Sequence, residues 1–153
     1  MGHFYFEKVE YEMALNMLAK FLNIGTQWLS PNHSEISHAH QNTGKAYRSL
    51  KVYLNALMRC TKALQIDLKY LLLTHFYAAK AYRALGHVYY DVKNYPMALK
   101  NFQKVLNIYL KNVPMDKTYL GTIYKDIGME FYNTNKYDNM LKNLRKALKI
   151  FWI

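Results

Sequence analysis

Cysteine, proline, glycine and acidic residues are all scarce in this 153-residue chain. The single cysteine, Cys60, cannot form an internal disulfide, which excludes a disulfide-stapled scaffold and agrees with a reducing compartment. No apolar run approaches the roughly 20 residues that a membrane-spanning helix needs. The first residues lack the basic start and the apolar stretch of a secretion signal. We therefore expect a cytoplasmic location and no membrane partner.

The residues that usually carry chemistry are few and scattered. The six glycines never cluster, so the sequence contains no nucleotide-binding glycine loop, and its ten acidic residues show no paired carboxylates. His38 and His40 are two residues apart, which points them to different sides of a helix, and Glu35 is the nearest acid. We expect no enzyme activity, no metal site and no cofactor.

Apolar and basic residues are what the chain has in quantity. Apolar residues make up 52% of it and charged residues only 20%, a composition too apolar for a disordered tail. Its length is enough for one domain with a real core. There are 21 Lys and Arg against 10 Asp and Glu, which leaves a formal charge of +11.

A repeat of 42 residues organises the whole chain, and six of its columns are identical in all four copies. Self-similarity at a fixed period is the signature of a repeat architecture. In order along the repeat, the columns are Gly2, Gly44, Gly86 and Gly128; Tyr11, Tyr53, Tyr95 and Tyr137; Leu15, Leu57, Leu99 and Leu141; Lys20, Lys62, Lys104 and Lys146; Leu22, Leu64, Leu106 and Leu148; and Ile24, Ile66, Ile108 and Ile150.

Each repeat has the pattern of two amphipathic helices. Apolar residues recur three and four apart both before the tyrosine column, in helix A, and after it, in helix B. Polar stretches at residues 91–94 and 133–136 suit a tight turn between the two helices. Pro96 falls at the opening of a helix B, and Pro31 and Pro114 fall between repeats, where they interrupt no helix.

The glycine column predicts that helix A packs closely on helix B. A glycine in mid-helix costs about 1 kcal/mol relative to alanine, so four such glycines need a structural reason. Cys60 lies at an apolar position of helix B and is expected to be a small core residue. An aromatic column (Tyr5, Tyr47, Tyr89, Phe131) would pack against a small column (Ala14, Ala56, Ala98), in which Met140 replaces alanine in the fourth repeat.

The four repeats span approximately residues 1–30, 31–72, 73–114 and 115–153. By the column count Gly2 lies deep inside helix A, so the first repeat lacks most of that helix. The apolar end at Phe151, Trp152 and Ile153 is not the polar cap that a repeat array needs. We therefore expect a single array that is part of a longer one, or one that self-associates through its exposed ends.

These columns resemble the tetratricopeptide repeat, a helix-turn-helix unit whose usual length is 34 residues. The spacing of 42 is similar to the long-helix variant of kinesin light chains and related scaffolds. The resemblance implies an all-α fold, an α-solenoid of tandem hairpins in a right-handed superhelix, and a non-enzymatic scaffold or adaptor for protein binding. Kinesin light chains commonly carry Asn-Leu-Ala or Asn-Leu-Gly in helix A; Asn42 keeps that asparagine here, whereas Ala84 and Asp126 replace it.

The resemblance also implies that the A helices line a concave surface where a ligand lies. Three positions of helix A face away from the packing columns, and we call the residues at these positions the A-helix stripe. They are Gln41, Lys45 and Arg48; Arg83, His87 and Tyr90; and Lys125, Met129 and Tyr132, with His38, Asn42 and Lys80 beside them. Because arginine binds carboxylates in bidentate pairs and tyrosine supplies rigid contact area, this stripe suits an acidic peptide or an acidic subunit of a larger complex.

Three alternatives stay open at this point. The stripe can be an ordinary solvated helix face, or the array can be structural and pack by its ends and outer faces within a larger assembly. Nucleic-acid binding needs basic residues gathered on one face with aromatics for stacking, but the tyrosines that recur in columns occupy core positions. The lysine column belongs to helix B and is expected on the outer face, with its stems over apolar neighbours.

Overall fold

The computed structural model describes residues 2–28, 34–70, 75–111 and 117–151, and these contain helices and no strand. The helices are α1 (Gly2–Trp28), α2 (Ser34–Ser49), α3 (Tyr53–Tyr70), α4 (His75–Asp91), α5 (Tyr95–Lys111), α6 (Lys117–Asn133) and α7 (Tyr137–Phe151). The predictions for Pro31, Pro114, Trp152, Ile153 and the Tyr5 side chain lie outside the described part of the chain.

Three helical hairpins match the last three repeats, and each helix B begins at the column tyrosine. The turn has one left-handed residue in every hairpin, with φ of 61° at Lys51, 61° at Lys93 and 58° at Asn135. The next N–H then donates back to a carbonyl of helix A, as from Asn94 to Tyr89 at 2.8 Å. This hydrogen bond is the one that closes a helix in the Schellman motif. The turns predicted at residues 91–94 and 133–136 are confirmed.

The first repeat departs from this pattern, because α1 runs without a break from Gly2 to Trp28. Val9 occupies the column of Lys51 and Lys93, the residues with positive φ. A β-branched residue is strongly disfavoured in the left-handed region, so the helix continues through the place where the other repeats turn. What the columns predicted as part of helix A followed by helix B is therefore a single helix.

The glycine column permits close contact between helices A and B, as predicted. A Cβ added to Gly86 would lie 2.6 Å from Cε1 of Phe102, and one added to Gly128 would lie 3.0 Å from Cδ2 of Leu144. A Cβ on Gly44 would overlap the sulfur of Cys60. Each partner lies on helix B of the same repeat, sixteen positions after the glycine.

The small column and the cysteine also occupy the predicted environment. Ala56, Ala98 and Cys60 are buried, and Met140, which replaces the alanine in the last repeat, is half-buried. Burial raises the pKa of the Cys60 thiol to about 11, so the thiol stays protonated at neutral pH and is a poor nucleophile. Its role is that of a small core residue, as expected.

The lysine column lies on the surface. Its four members are all exposed, and the Lys146 ammonium sits 5.2 Å from the centre of the Tyr124 ring. No helix within the described ranges is long and apolar enough to cross a membrane.

Two compact units divide the chain, Met1–Ala84 and Leu85–Ile153, and we call them the N-terminal and C-terminal units. The core of the N-terminal unit is rich in small side chains, such as Ala39 and Ala63. The C-terminal unit buries larger ones, among them Phe102 and Ile123.

Candidate partner-binding surface

Four cations of the predicted surface belong to the N-terminal unit, on α2 and on the first part of α4. Lys45 is exposed, and Arg48, Lys80 and Arg83 are half-buried. The Lys80 ammonium lies 4.3 Å from the centre of the Phe76 ring, a cation–π contact that holds the long side chain in place. We call these four cations the basic face.

His38 lies among these cations. Burial, followed by the nearby charges of Lys80 and Lys45, lowers the pKa of its imidazole, although Asp67 and Glu35 act in the opposite direction. The ring packs on Tyr77 at 4.6 Å between centroids, and its Nε2 has no hydrogen-bond partner in the described part of the chain. The His38 ring is therefore neutral at pH 7, and its pKa is sensitive to the charges of both lysines.

Gln41 belongs to the interior rather than to the surface, since it is only 3% exposed. Its amide donates to Oδ2 of Asp67 at 3.2 Å and to the carbonyl of Tyr77 at 3.4 Å. The Ser37 hydroxyl also donates to Asp67, at 2.5 Å. Burial raises the pKa of Asp67, and these two side-chain hydrogen bonds lower it in turn. Gln41 thus joins α2 to α3 and α4, and we leave it out of the binding surface.

Asp67 is a structural residue that the sequence analysis missed. It is 2% exposed and lies in the column of Tyr109 and Phe151. The available signal was an acid in a column that otherwise holds Gly25, Tyr109 and Phe151, because a buried carboxylate requires polar partners. Ser37 and Gln41 are those partners.

Asn42 and Lys45 lie on the rim of an open groove between α1 and α2, with a volume of about 600 Å³. The columns did not predict this groove. Its other lining residues are Tyr11, Ala14, Met17 and Leu18 on α1, and Ala46 and Ser49 on α2. Most of the lining is apolar, with the Lys45 ammonium as the charged group.

In the C-terminal unit, two residues of the A-helix stripe contact α6. The His87 Nε2 lies 3.6 Å from Oδ2 of Asp126, and the His87 ring packs edge-on against Phe102 at 5.2 Å. The Tyr90 hydroxyl accepts a hydrogen bond from Nδ2 of Asn133 at 3.1 Å. These two side chains therefore hold helix α4 to helix α6.

Lys125, Met129 and Tyr132, also on α6, are exposed. The Tyr132 ring contacts Tyr137 edge-on at 6.2 Å, which orients it at the hairpin turn. Lys125 is thus the exposed cation that the stripe contributes to this unit.

Two carboxylates on α6 change the charge of the C-terminal unit. Asp126 is 9% exposed and Glu130 only 1%, and both oxygens of Glu130 are without a hydrogen bond in the described residues. Burial, and then the charge of Asp126, raises the pKa of Glu130 to about 7. The sequence signal for Glu130 was an acid in a column whose other members, Phe4, Ala46 and Val88, are apolar. The predicted basic stripe therefore has buried carboxylates beside it in this unit.

No three His, Cys, Asp or Glu side chains within the described ranges are grouped so as to hold a metal ion.

A family model described as Tetratricopeptide repeat matches residues 44–111 and again residues 77–151. Among solved structures, BtubC (BKLC) from P. vanneervenii is similar at 16% identity and a TM-score of 0.86, over 92% of this chain and 56% of that one. A Podosopora anserina putative kinesin light chain with nearly identical TPR-like repeats has 14% identity and a TM-score of 0.72, over 92% and 66%. MamA has 20% identity and a TM-score of 0.62, over 92% and 77%.

The chain thus spans 56% of the length of BtubC and 66% of that of the kinesin light chain protein. At these identities the likeness shows the fold alone, and it confirms the predicted α-solenoid of helical hairpins. No curated protein matches the chain. Two overlapping matches that together cover residues 44–151 establish the family: the chain belongs to the tetratricopeptide repeat family.

Proposed function

We propose that this protein is a non-enzymatic adaptor whose N-terminal unit binds an acidic segment of a partner protein. The tetratricopeptide repeat fold generally serves protein–protein interaction, and the basic face supports an acidic partner. The observation that carries the proposal is the grouping of Lys45, Arg48, Lys80 and Arg83 on α2 and the first part of α4, with the Lys80 ammonium held 4.3 Å from the centre of the Phe76 ring. Positive charge beside the exposed ring of Phe76 suits carboxylates carried on an apolar segment.

The contribution of each surface residue differs. Arg48 and Arg83 present planar guanidinium groups that can pair with carboxylates in two parallel hydrogen bonds, whereas Lys45 and Lys80 act as point charges. In the C-terminal unit we assign His87 and Tyr90 to contacts with α6. We keep the exposed residues Lys125 and Tyr132 as candidate partner contacts there.

A fluorescein-labelled glutamate-rich peptide, followed by fluorescence anisotropy, tests the proposal. We expect saturable binding that weakens as salt rises, because exposed charges are screened beyond about 8 Å at physiological ionic strength. The double variant Lys45→Glu with Lys80→Glu should weaken binding about tenfold or more, which corresponds to about 1.4 kcal/mol.

The matched control is the double variant Lys20→Glu with Lys62→Glu, which makes the same change of charge on exposed positions of α1 and α3. It should change the affinity by less than about twofold. Equal loss in both double variants would mean that net charge, and not the basic face, attracts the peptide. Binding of single-stranded RNA without binding of the peptide would favour a nucleic-acid partner instead.

A further inference from the structure

The α1 side of the open groove consists of columns that another helix covers in the later repeats. Ala14 and Leu18 of α1 are half-buried. The residues in their columns are Ala56 and Cys60 on α3, and Ala98 and Phe102 on α5, all buried. Gly44 of α2 lies against the first pair and Gly86 of α4 lies against Phe102. In those repeats a helix A with a glycine on its packing face covers the position that is open on α1.

The α2 side of the groove also consists of columns that a helix A covers in a later repeat. Asn42 and Ser49 line the groove, and the residues in their columns on α6 are Asp126 and Asn133. Helix α4 contacts both of these, through His87 to Asp126 at 3.6 Å and through Tyr90 to Asn133 at 3.1 Å. The groove between α1 and α2 thus has both walls of a site that a helix A fills in the C-terminal unit.

The continuity of α1 is what leaves this site open. In the other repeats the chain turns at the left-handed residue, and helices A and B lie side by side. With Val9 at that column, α1 continues straight, so its first turns extend away instead of folding back over Ala14 and Leu18. The exposed Met17, at 71% of its surface, adds a flexible apolar side chain to the same wall.

The lining defines the chemistry of the helix that fits. The bound helix needs a small residue opposite Leu18. Cys60 and Phe102 occupy the same column as Leu18, and each packs against a glycine of helix A. The neighbouring lining is apolar, and Asn42 and Ser49 accept or donate hydrogen bonds at the rim. Lys45 supplies a positive charge one turn before Ser49 on α2. The complementary segment is an amphipathic helix with a glycine or alanine on its buried face and a carboxylate toward Lys45.

We infer that the groove between α1 and α2 binds one amphipathic helix of a partner protein in the position of a helix A. The inference rests on the proposed protein-binding function and names the form of the segment that is bound. A second copy of this chain fits less well, because its glycine-bearing helices α2, α4 and α6 already pack that face on their own helix B. A copy would have to open a hairpin to donate one of them.

The probe is a fluorescein-labelled 17-residue peptide with the sequence of α4, His75–Asp91, carrying Tyr90→Glu. Tyr90 contacts Asn133, in the column of Ser49, so a carboxylate at this position would lie beside Lys45. We expect saturable binding by anisotropy, with a rise in helical circular dichroism. The same peptide with Gly86→Leu should bind about tenfold more weakly, because leucine would meet Leu18.

On the protein, Met17→Glu should weaken binding of the peptide about tenfold or more. The matched control is Met58→Glu on α3, which is 63% exposed and outside the groove, and which should change little. Equal loss with Met58→Glu, or equal binding of the two peptides, would overturn the inference. So would a dimer in sedimentation that Met17→Glu dissociates, since a second copy would then occupy the groove.

The glutamate-rich peptide separates this inference from the proposed function. Met17→Gln, which adds no charge beside Lys45, should leave its binding unchanged, and Lys80→Glu should leave binding of the helical peptide unchanged. If the glutamate-rich peptide binds and the helical peptide does not, the groove inference alone is wrong. If neither binds, the proposed function is wrong as well.

Discussion

The two compact units use the same repeat, yet neutral residues of one unit are replaced by acids at equivalent positions of the other. On α2 the columns beside the stripe hold Asn42 and Ala46, and on α6 the same columns hold Asp126 and Glu130. The helices and turns around them are alike, because the columns that define the hairpin are the same. The shared columns therefore determine the backbone, whereas single departures from them determine the charge beside each stripe.

The packing between helices A and B also combines a constant column with a variable residue. The glycine column is constant, but its partner on helix B is Cys60 in the N-terminal unit and Phe102 or Leu144 in the C-terminal unit. An aromatic ring is rigid, while a leucine side chain can change rotamer. The same substitution at equivalent glycines should therefore have different consequences.

Substitution of the column glycines is expected to have the largest effect. Gly86→Leu places four carbons against a ring that already lies 2.6 Å from the position of the first of them. We expect a loss of about 3 kcal/mol or more in the free energy of unfolding, at or above the usual range for overpacking. Urea unfolding monitored by circular dichroism measures it.

Gly128→Leu is the comparison for this prediction. Its first carbon would lie 3.0 Å from the terminal methyl of Leu144, which can move aside. The loss should be smaller than that of Gly86→Leu by about 1 kcal/mol or more. If both variants unfold at the same urea concentration as the parent protein, the close-contact explanation of the glycine column is wrong.

The carboxyl of Glu130 should make the C-terminal unit less stable at high pH. Its pKa is raised from 4.5 to about 7 in the folded protein, so the folded state holds this proton more tightly than the unfolded state does. The stabilisation is complete below pH 4.5 and is lost as the pH rises through 7. The free energy of unfolding should fall by about 3 kcal/mol over this range, because each unit of pKa shift corresponds to about 1.36 kcal/mol.

Glu130→Gln tests the direction of this pH dependence, because the amide mimics the neutral carboxyl. The variant should be more stable than the parent at pH 8 by about 2 to 3 kcal/mol and nearly equal to it at pH 4.5, in urea unfolding at both values. Glu10→Gln, at an exposed position of α1, should show no such difference. A gain that is the same at both pH values would assign the effect to something other than the proton on Glu130.

The sequence predicted those features that every repeat shares. Hairpins, turns at residues 91–94 and 133–136, the glycine contacts and the burial of Cys60 all follow from columns whose physical role does not depend on distant residues. The exposed position of Lys45 was also predicted, since the period assigns it to the surface, and the binding role of the basic face stays a prediction.

The features that were missed depend on single residues or on contacts between distant residues. Gln41 occupies a predicted surface position, but Asp67, twenty-six residues further on, draws its amide into the interior. The groove arises because Val9 prevents a turn, and the column of Val9 is not among the six identical columns from which the hairpins were predicted. Helical periodicity averages over such residues, so it cannot locate them.

The left-handed turn column should give the smallest effects and the clearest contrast between α1 and the hairpins. A residue other than glycine or asparagine pays about 1 kcal/mol in the left-handed region, so Lys93→Gly should stabilise the protein by about 0.5 kcal/mol after the added entropy of the unfolded chain. Asn135→Gly should change the free energy of unfolding by at most a few tenths of a kcal/mol, because asparagine tolerates the left-handed conformation.

Val9→Gly, at the same column, should have the opposite sign. Val9 lies inside α1, where glycine is a poorer helix former than valine, so the substitution should cost about 0.5 kcal/mol. Thermal unfolding of the three variants, compared with the parent protein, measures the contrast. If Val9→Gly stabilises the protein as much as Lys93→Gly does, residues 7–10 form a turn in solution like that of the other repeats. The first turns of α1 would then fold back over Ala14 and Leu18, and the groove would be filled by the chain itself.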